Sequence, residues 1–305
     1  MTRTVTEPDL APAVALLRRG DHAAALVHVQ RQLAARPDDV ATLLLAGRIC
    51  RAADDIVAAA GHFQHAVKQA PGAAEPAHLF AAALFDLGHP STAVVLGYLL
   101  ELHPRHGAGW YLLGRQALKQ DEHERALDAF GRAIAIDADM AQAHFQRANT
   151  LQALGRDAAA LDAFREAARC APEVMEIHFN LGLLLHRTAA LDAASAALLH
   201  CTVLAPGHAD AWYNLGLVQQ DRRLPGDAAA SFRAALACRP DYAEAAVNLG
   251  IVLQEAGAMD EAKHAYRQAL RLQPSAFGRI AQAMTAGRTG ELWLDLAALR
   301  AHLSS

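Results

Sequence analysis

Three asparagines, Asn180, Asn214 and Asn248, stand 34 residues apart, inside the related motifs HFNLG, WYNLG and AVNLG that end at Gly182, Gly216 and Gly250. A carboxamide carries both a donor and an acceptor on one planar group. Repeated along one face, such groups pair with the N–H and C=O of an extended peptide whatever its side chains. The competing use is internal, each asparagine bonding a neighbouring helix and fixing the angle between repeats. Gln146 extends the series one interval earlier, and Asn149 adds a carboxamide nearby. A second stripe, Tyr111, Phe145, Phe179 and Tyr213, recurs at 34 immediately before the carboxamide position, with Val247 next. Aromatic side chains there suit gripping apolar side chains or stacking on a ligand backbone. Arg115, Lys119 and Arg187 lie toward the earlier part of the chain, and Asp210, Asp221, Glu244 and Glu255 toward the later part. That order predicts a polarised surface that orients a ligand with its acidic part near the middle.

The elements that must position these residues follow from the prolines. Pro37, Pro71, Pro104, Pro172, Pro206, Pro240 and Pro274 step by 34 or 33, with Ala138 filling the one gap. Phe63, Phe130, Phe164, Phe232 and Tyr266 lie eight residues before that grid, and Ala59, Ala126, Ala160, Ala228 and Ala262 four residues earlier still. Ala66, Ala133, Ala167, Ala235 and Ala269 follow the aromatic by three. Each interval reads as two helices. In the interval 209–242 the first helix runs from about Ala209 to Arg222, LPGD breaks it at Pro225 and Gly226, and Asp227 caps the second. Asp157, Asp192 and Asp260 offer similar caps. Trp212, Leu215 and Gly216 face Ala228, Phe232 and Ala235. Gly216 costs roughly 1 kcal/mol in mid-helix, so close packing is its expected justification.

The pattern W-x2-L-G, A-x3-F and P at the end of the unit resembles the tetratricopeptide repeat (TPR) family. Trp110-Leu113-Gly114 with Ala126 and Phe130 matches it, and Trp212-Leu215-Gly216 with Ala228, Phe232 and Pro240 matches it better. The units are 6–39, 40–73, 74–106, 107–140, 141–174, 175–208, 209–242 and 243–276. Residues 1–5 are expected to be disordered and 277–305 to form capping helices, with Leu292, Leu296, Leu299 and Leu303 on one stripe and Trp293 off it. The third unit has lost a residue, the first lacks the Trp and Leu-Gly, and His144 and His178 stand in the Trp place. The resemblance implies an all-α, right-handed α-α superhelix of about eight hairpins with a C-terminal capping helix. A single unit cannot bury its own apolar face, so neighbours stack into one solenoid.

At 100° per residue Asn214 points away from the core set, sharing a face with Asp210, Tyr213, Leu217, Gln220 and Asp221. The resemblance implies that this face lines the concave side. The ladder is similar to that of the TPR arms of O-linked N-acetylglucosaminyl transferases, which hold substrate polypeptides. The carboxylate clamp of some TPR co-chaperones is not matched. Asn149 and Asn180 fit two of its asparagines, but Phe145 stands where a lysine is required, and Asp210 and Asn214 replace the later lysine and arginine.

Hydrophobic residues make up 53% of the 305-residue chain and aromatics only 6%, which favours packed helices over sheets. The formal net charge of −4 argues against binding nucleic acid by neutralising phosphates. No stretch approaches the ~18 uninterrupted apolar residues of a membrane span. The start shows no secretory pattern, so the expected location is the cytoplasm. Cys50, Cys170, Cys201 and Cys238 form no CxxC pair and read as reduced, mostly buried thiols. No phosphate loop, nucleophile elbow or HExxH helix occurs, and the histidines lack a third ligand at metal spacing. No catalytic residue, metal or cofactor is expected. The expectation is a non-catalytic scaffold binding a peptide or helix. The alternative is a substrate-recruiting accessory subunit of a separately encoded glycosyltransferase or other enzyme. Self-association through the end units is a third reading.

Overall fold

The prolines fall between hairpins, and helices fill the intervals between them. The computed structural model describes residues 9–286, and every regular element among them is helical. The helices group into two compact units, Met1–Thr150 and Leu151–Ser305. The first pairs α1 (Ala11–Arg18) with α2 (His22–Ala35), α3 (Val40–Ala52) with α4 (Ile56–Gln69), α5 (Ala74–Asp86) with α6 (Thr92–Leu102), and α7 (Gly107–Lys119) with α8 (His123–Ile136). The boundary falls within α9 (Ala141–Ala153). The second unit continues with α10 (Asp157–Cys170), and pairs α11 (Met175–Arg187) with α12 (Leu191–Leu204), α13 (Ala209–Asp221) with α14 (Pro225–Cys238), and α15 (Ala243–Glu255) with α16 (Met259–Leu272). A 3-10 turn (Pro274–Ala276) leads into α17 (Phe277–Ala286).

The register is strict. From α9 to α15 the first helices start at 141, 175, 209 and 243, and α17 starts one further interval on, at 277. α17 therefore takes the place of a ninth first helix and packs on α15, with Ile280 fully buried where other units carry Trp. The capping segment expected from residue 277 thus begins in phase with the repeat. The leucine stripe at 292–303, Trp293 and the terminal residues 1–5 lie outside the described residues. The short third unit keeps its first helix whole; its second, α6, has 11 residues against 14 in its neighbours α4 and α8.

Close packing within each hairpin explains the Leu-Gly motif. Phe232 is 0% exposed, and its ring lies against Gly216 so tightly that a Cβ there would sit 2.6 Å from Cε1. Burying such a ring contributes about 1.5–3 kcal/mol. In α5 the glycine position carries Ala81, and Leu96, eight residues before Pro104, stands where other hairpins carry the ring; both are buried in one cluster.

The Trp position has its own chemistry. The indole Nε1 of Trp110 donates to the Pro104 carbonyl at 2.8 Å, and that of Trp212 to the Pro206 carbonyl at 2.9 Å. His144 Nε2 meets the Ala138 carbonyl at 2.9 Å and His178 Nε2 the Pro172 carbonyl at 2.8 Å. A carbonyl requires an N–H, so both imidazoles hold the Nε2–H tautomer and replace the indole as donors to the inter-hairpin loop.

The turns inside the hairpins differ from the sequence expectation. Pro225 is the first residue of α14, where its missing N–H and fixed φ are harmless, and Leu224 is the N-cap without a side-chain hydrogen bond. Asp227 lies in the first turn, as do Asp157 of α10, Asp192 of α12 and Asp260 of α16, where a carboxylate complements the helix dipole without capping. The chain has already turned one step earlier, at a left-handed residue: Gly20, Asp54, Gly88, Asp121, Gly155, Ala189, Arg223 and Gly257 occupy one register position. Side-chain caps inside hairpins come from Asp21 on α2 and Asp55 on α4, and between hairpins from Asp39 on α3 and from the Nδ1 atoms of His106 on α7 and His208 on α13. Of the cysteines, Cys50 and Cys201 are buried, burial pushing the Cys201 thiol up to about 11, whereas Cys238 is exposed.

Candidate functional site

Consecutive first helices touch, α5 with α7 in one unit and α11 with α13 in the other, so one face of each unit is lined by first helices. The candidate residues fall on these helices and are taken unit by unit.

In the second unit Asn180 on α11 is half-buried, and its carboxamide has no partner among the described residues. Asn214 on α13 is also half-buried; its Nδ2 donates to the Asp210 carbonyl of its own helix at 2.7 Å, leaving Oδ1 and the second N–H open. Asn248 on α15 behaves differently. It is 5% exposed, its Nδ2 donates to the Tyr213 hydroxyl at 3.1 Å, and its Oδ1 accepts from Arg279 of α17 at 3.1 Å. The ladder is therefore closed at this rung, because α17 continues the repeat and covers α15. Val247 is buried beside it.

The aromatic stripe is half-buried at Phe179 and Tyr213. Phe179 lies 5.1 Å from the His208 ring. Tyr213 rests between Phe232 at 5.8 Å and Tyr242 at 4.9 Å. Burial raises the Tyr213 hydroxyl above the usual tyrosine range, against the lowering effect of the Asn248 hydrogen bond, so it stays protonated at neutral pH. With its lone pair engaged by Asn248, its O–H remains a donor.

The expected charge gradient is partly neutralised inside the unit. Asp210 accepts from Arg239 at 3.0 and 2.8 Å and from the Tyr242 hydroxyl at 2.9 Å. The Arg239 hydrogen bonds, foremost among several causes, hold its carboxyl below the usual range. Asp221 pairs with His186, and Arg187 is turned onto Asp157 rather than left free for a ligand. Glu244 and Glu255 are exposed.

In the first unit Tyr111 is half-buried at 5.9 Å from Phe130, and Phe145, Gln146 and Asn149 on α9 are half-buried as well. Arg115 on α7 stacks its guanidinium over the Phe85 ring at 4.6 Å, with Tyr111 at 5.9 Å. Lys119 places its ammonium 3.6 Å from the Phe85 centroid and donates to the Phe85 carbonyl at 2.9 Å, close to the C-terminus of α5. Phe85 is the residue that sequence reasoning missed. It sits one interval before Leu118, so no repeated aromatic marks it. Among the described residues no cluster of three or more His, Cys, Asp or Glu is placed to hold a metal ion, and no helix is long and apolar enough to cross a membrane.

Stacked hairpins in a 34-residue register, with a ring locked against Gly47, Gly114, Gly216 and Gly250 and with Trp110, His144, His178 and Trp212 bonded to the preceding loop, define a helical-hairpin repeat protein. The chain belongs to the tetratricopeptide repeat family, whose model matches residues 10–74, 78–143, 145–199 and 213–277. No curated protein matches its sequence. Among solved structures it is similar to YrrB, described as a TPR protein with an unusual peptide-binding site, at 23% identity and a TM-score of 0.54 over 60% of this chain and 95% of that one. It is also similar to a chain of the APC/C hetero-tetramer Cut9-Hcn1, at 18% identity and a TM-score of 0.55 over 80% of this chain and 49% of that one. MamA matches at 20% identity and a TM-score of 0.51 over 53% of this chain and 95% of that one. At these identities the likeness shows the fold.

Proposed function

We propose that this chain is a non-catalytic interaction scaffold that holds a partner polypeptide against the first-helix face of its second unit. One observation carries the reading: Asn180 and Asn214, on touching helices, keep hydrogen-bonding groups open beside the half-buried rings of Phe179 and Tyr213. Each carboxamide–backbone hydrogen bond contributes about 1 kcal/mol net, so affinity rests on the rings as much as on the amides. Asn248 and Arg187 are not part of this surface, since their polar groups serve α17 and Asp157. The likeness to YrrB, described as a TPR protein with an unusual peptide-binding site, supports a peptide as the partner.

The test is selection from a display library of random unstructured peptides on wild type and on Asn180→Ala/Asn214→Ala, with helicity and melting matched. Peptides retained by wild type and bound about tenfold or more weakly by the variant support the reading. Equal binding by both proteins contradicts it.

A further inference from the structure

In the first unit we infer a carboxylate-binding site: Arg115 and Lys119, stacked on Phe85, receive an acidic group of a polypeptide partner. The inference rests on the scaffold reading above and adds the chemistry of the partner.

Arg115 and Lys119 are one helical turn apart on α7, so they share a face. Both lean onto the same ring of α5. Arg115 is half-buried, its guanidinium lies between Phe85 and Tyr111, and none of its N–H groups has an acceptor among the described residues. A guanidinium held over a ring by its Cζ keeps its N–H groups for an acceptor, and a carboxylate can take two of them in bidentate fashion. Because the stack fixes the side chain beforehand, less freedom is lost on binding. Lys119 uses one donor on the Phe85 carbonyl and keeps two.

The repeat shows what is missing. Arg48 holds the same register position in α3 that Arg115 holds in α7, and Arg48 pairs with Glu75, the second residue of the next first helix. The second residue of α9, the equivalent for Arg115, is Gln142, which carries no charge. Arg51 of α3 is likewise paired, with Asp86. Arg115 and Lys119 have no carboxylate within ion-pair distance among the described residues, in a chain whose formal net charge is −4. An acid supplied by the partner completes the pattern that the chain itself satisfies at α3–α5. The carboxylate comes either from an Asp or Glu side chain or from a peptide C-terminus.

The test uses the same random library on wild type and Arg115→Gln/Lys119→Gln. Wild type is expected to enrich peptides rich in carboxylates, and the double variant is not. The strongest wild-type peptide is then synthesised unchanged, with Asp and Glu replaced by Asn and Gln, and with an amidated C-terminus. One neutralised form is expected to bind wild type about tenfold or more weakly, the scale of a charge-assisted hydrogen-bond pair. It is expected to bind the double variant no worse than the parent peptide does. Which form loses affinity names the source of the carboxylate. Since Lys119 also satisfies the end of α5, Arg115→Gln alone guards against misfolding, because the Arg115 guanidinium has no hydrogen-bond acceptor among the described residues. Wild-type selection of peptides without acidic enrichment, or equal binding of all three forms, overturns the inference while the scaffold reading stands. Selection of no peptide at all overturns both.

Discussion

Adding a single methyl group at Gly216 separates packing from helix propensity. A Cβ at Gly216 lies 2.6, 2.8 and 2.9 Å from Cε1, Cδ1 and Cζ of Phe232. Carbon atoms rest at about 3.5–4.0 Å, so the ring must withdraw by roughly 1 Å. Phe232 is fully buried among Ala228, Ala229 and Tyr213, which leaves it little room. Overpacking of this kind costs about 1–3 kcal/mol, and the change from glycine to alanine in a helix returns about 1 kcal/mol. Gly131, in the interior of α8, meets nothing within 4 Å of its own added Cβ, so Gly131→Ala keeps only the gain. The two variants should therefore differ by about 1–3 kcal/mol, with Gly131→Ala above wild type and Gly216→Ala at or below it. Urea melts followed by circular dichroism read the difference. Amide exchange in α13–α14 and α8 localises it, because repeat stacks can melt piecewise. Gly216→Ala stabilising the protein as much as Gly131→Ala does would refute the ring-to-glycine account of the motif.

Ala189 holds φ 61°, a left-handed conformation costing an L residue about 1–2 kcal/mol, so Ala189→Gly should stabilise by about 0.5–1 kcal/mol net in thermal melts. Arg279→Ala strips the Asn248 Oδ1 of its donor at a 5% exposed residue; it should cost about 1–3 kcal/mol, seen as faster amide exchange in α15 and α17. Burial, with lesser contributions from His106 and Arg51, depresses His78 to about 4 from 6.5. Between those values the unfolded chain binds the extra proton, so His78 stabilises the fold above pH 6.5 and loses that contribution as pH falls toward 4. His78→Tyr, which places at this register position the residue that Tyr111 and Tyr213 supply, should flatten the fall in melting temperature between pH 7 and 5 relative to wild type.

The period was legible because its markers are packing residues. Phe232 and Ala228 have no alternative place in a tight hairpin, and a proline between helices stops each one where the next must begin. Helix starts were less legible. Pro225 and Asp227 are equally good as a breaker with a cap or as the first turn of a helix. The choice is made by Arg223, which nothing in its side chain marks as left-handed; Gly20, Gly88, Gly155 and Gly257 at the same register betray the position. The candidate surface was legible in face but not in exposure. Asn180, Asn214 and Asn248 are identical by spacing, and the third is closed because α17 falls in phase with α15, a relation that the proline grid stops short of. Charges were the least legible, since Asp210 and Arg187 find partners about 30 residues away, on neighbouring elements of the stack.

The central claim is that Asn180 and Asn214 hold the backbone of a bound polypeptide. The direct measurement takes a peptide selected on wild type and methylates its backbone nitrogens one at a time, leaving every side chain unchanged. Affinities are then measured for wild type and for Asn180→Ala/Asn214→Ala. The account predicts that methylation at one or two positions weakens binding to wild type by about tenfold and adds no further loss in the variant. If every methylated form binds wild type as well as the parent does, or if the same positions weaken binding equally in both proteins, the asparagines do not hold a peptide backbone.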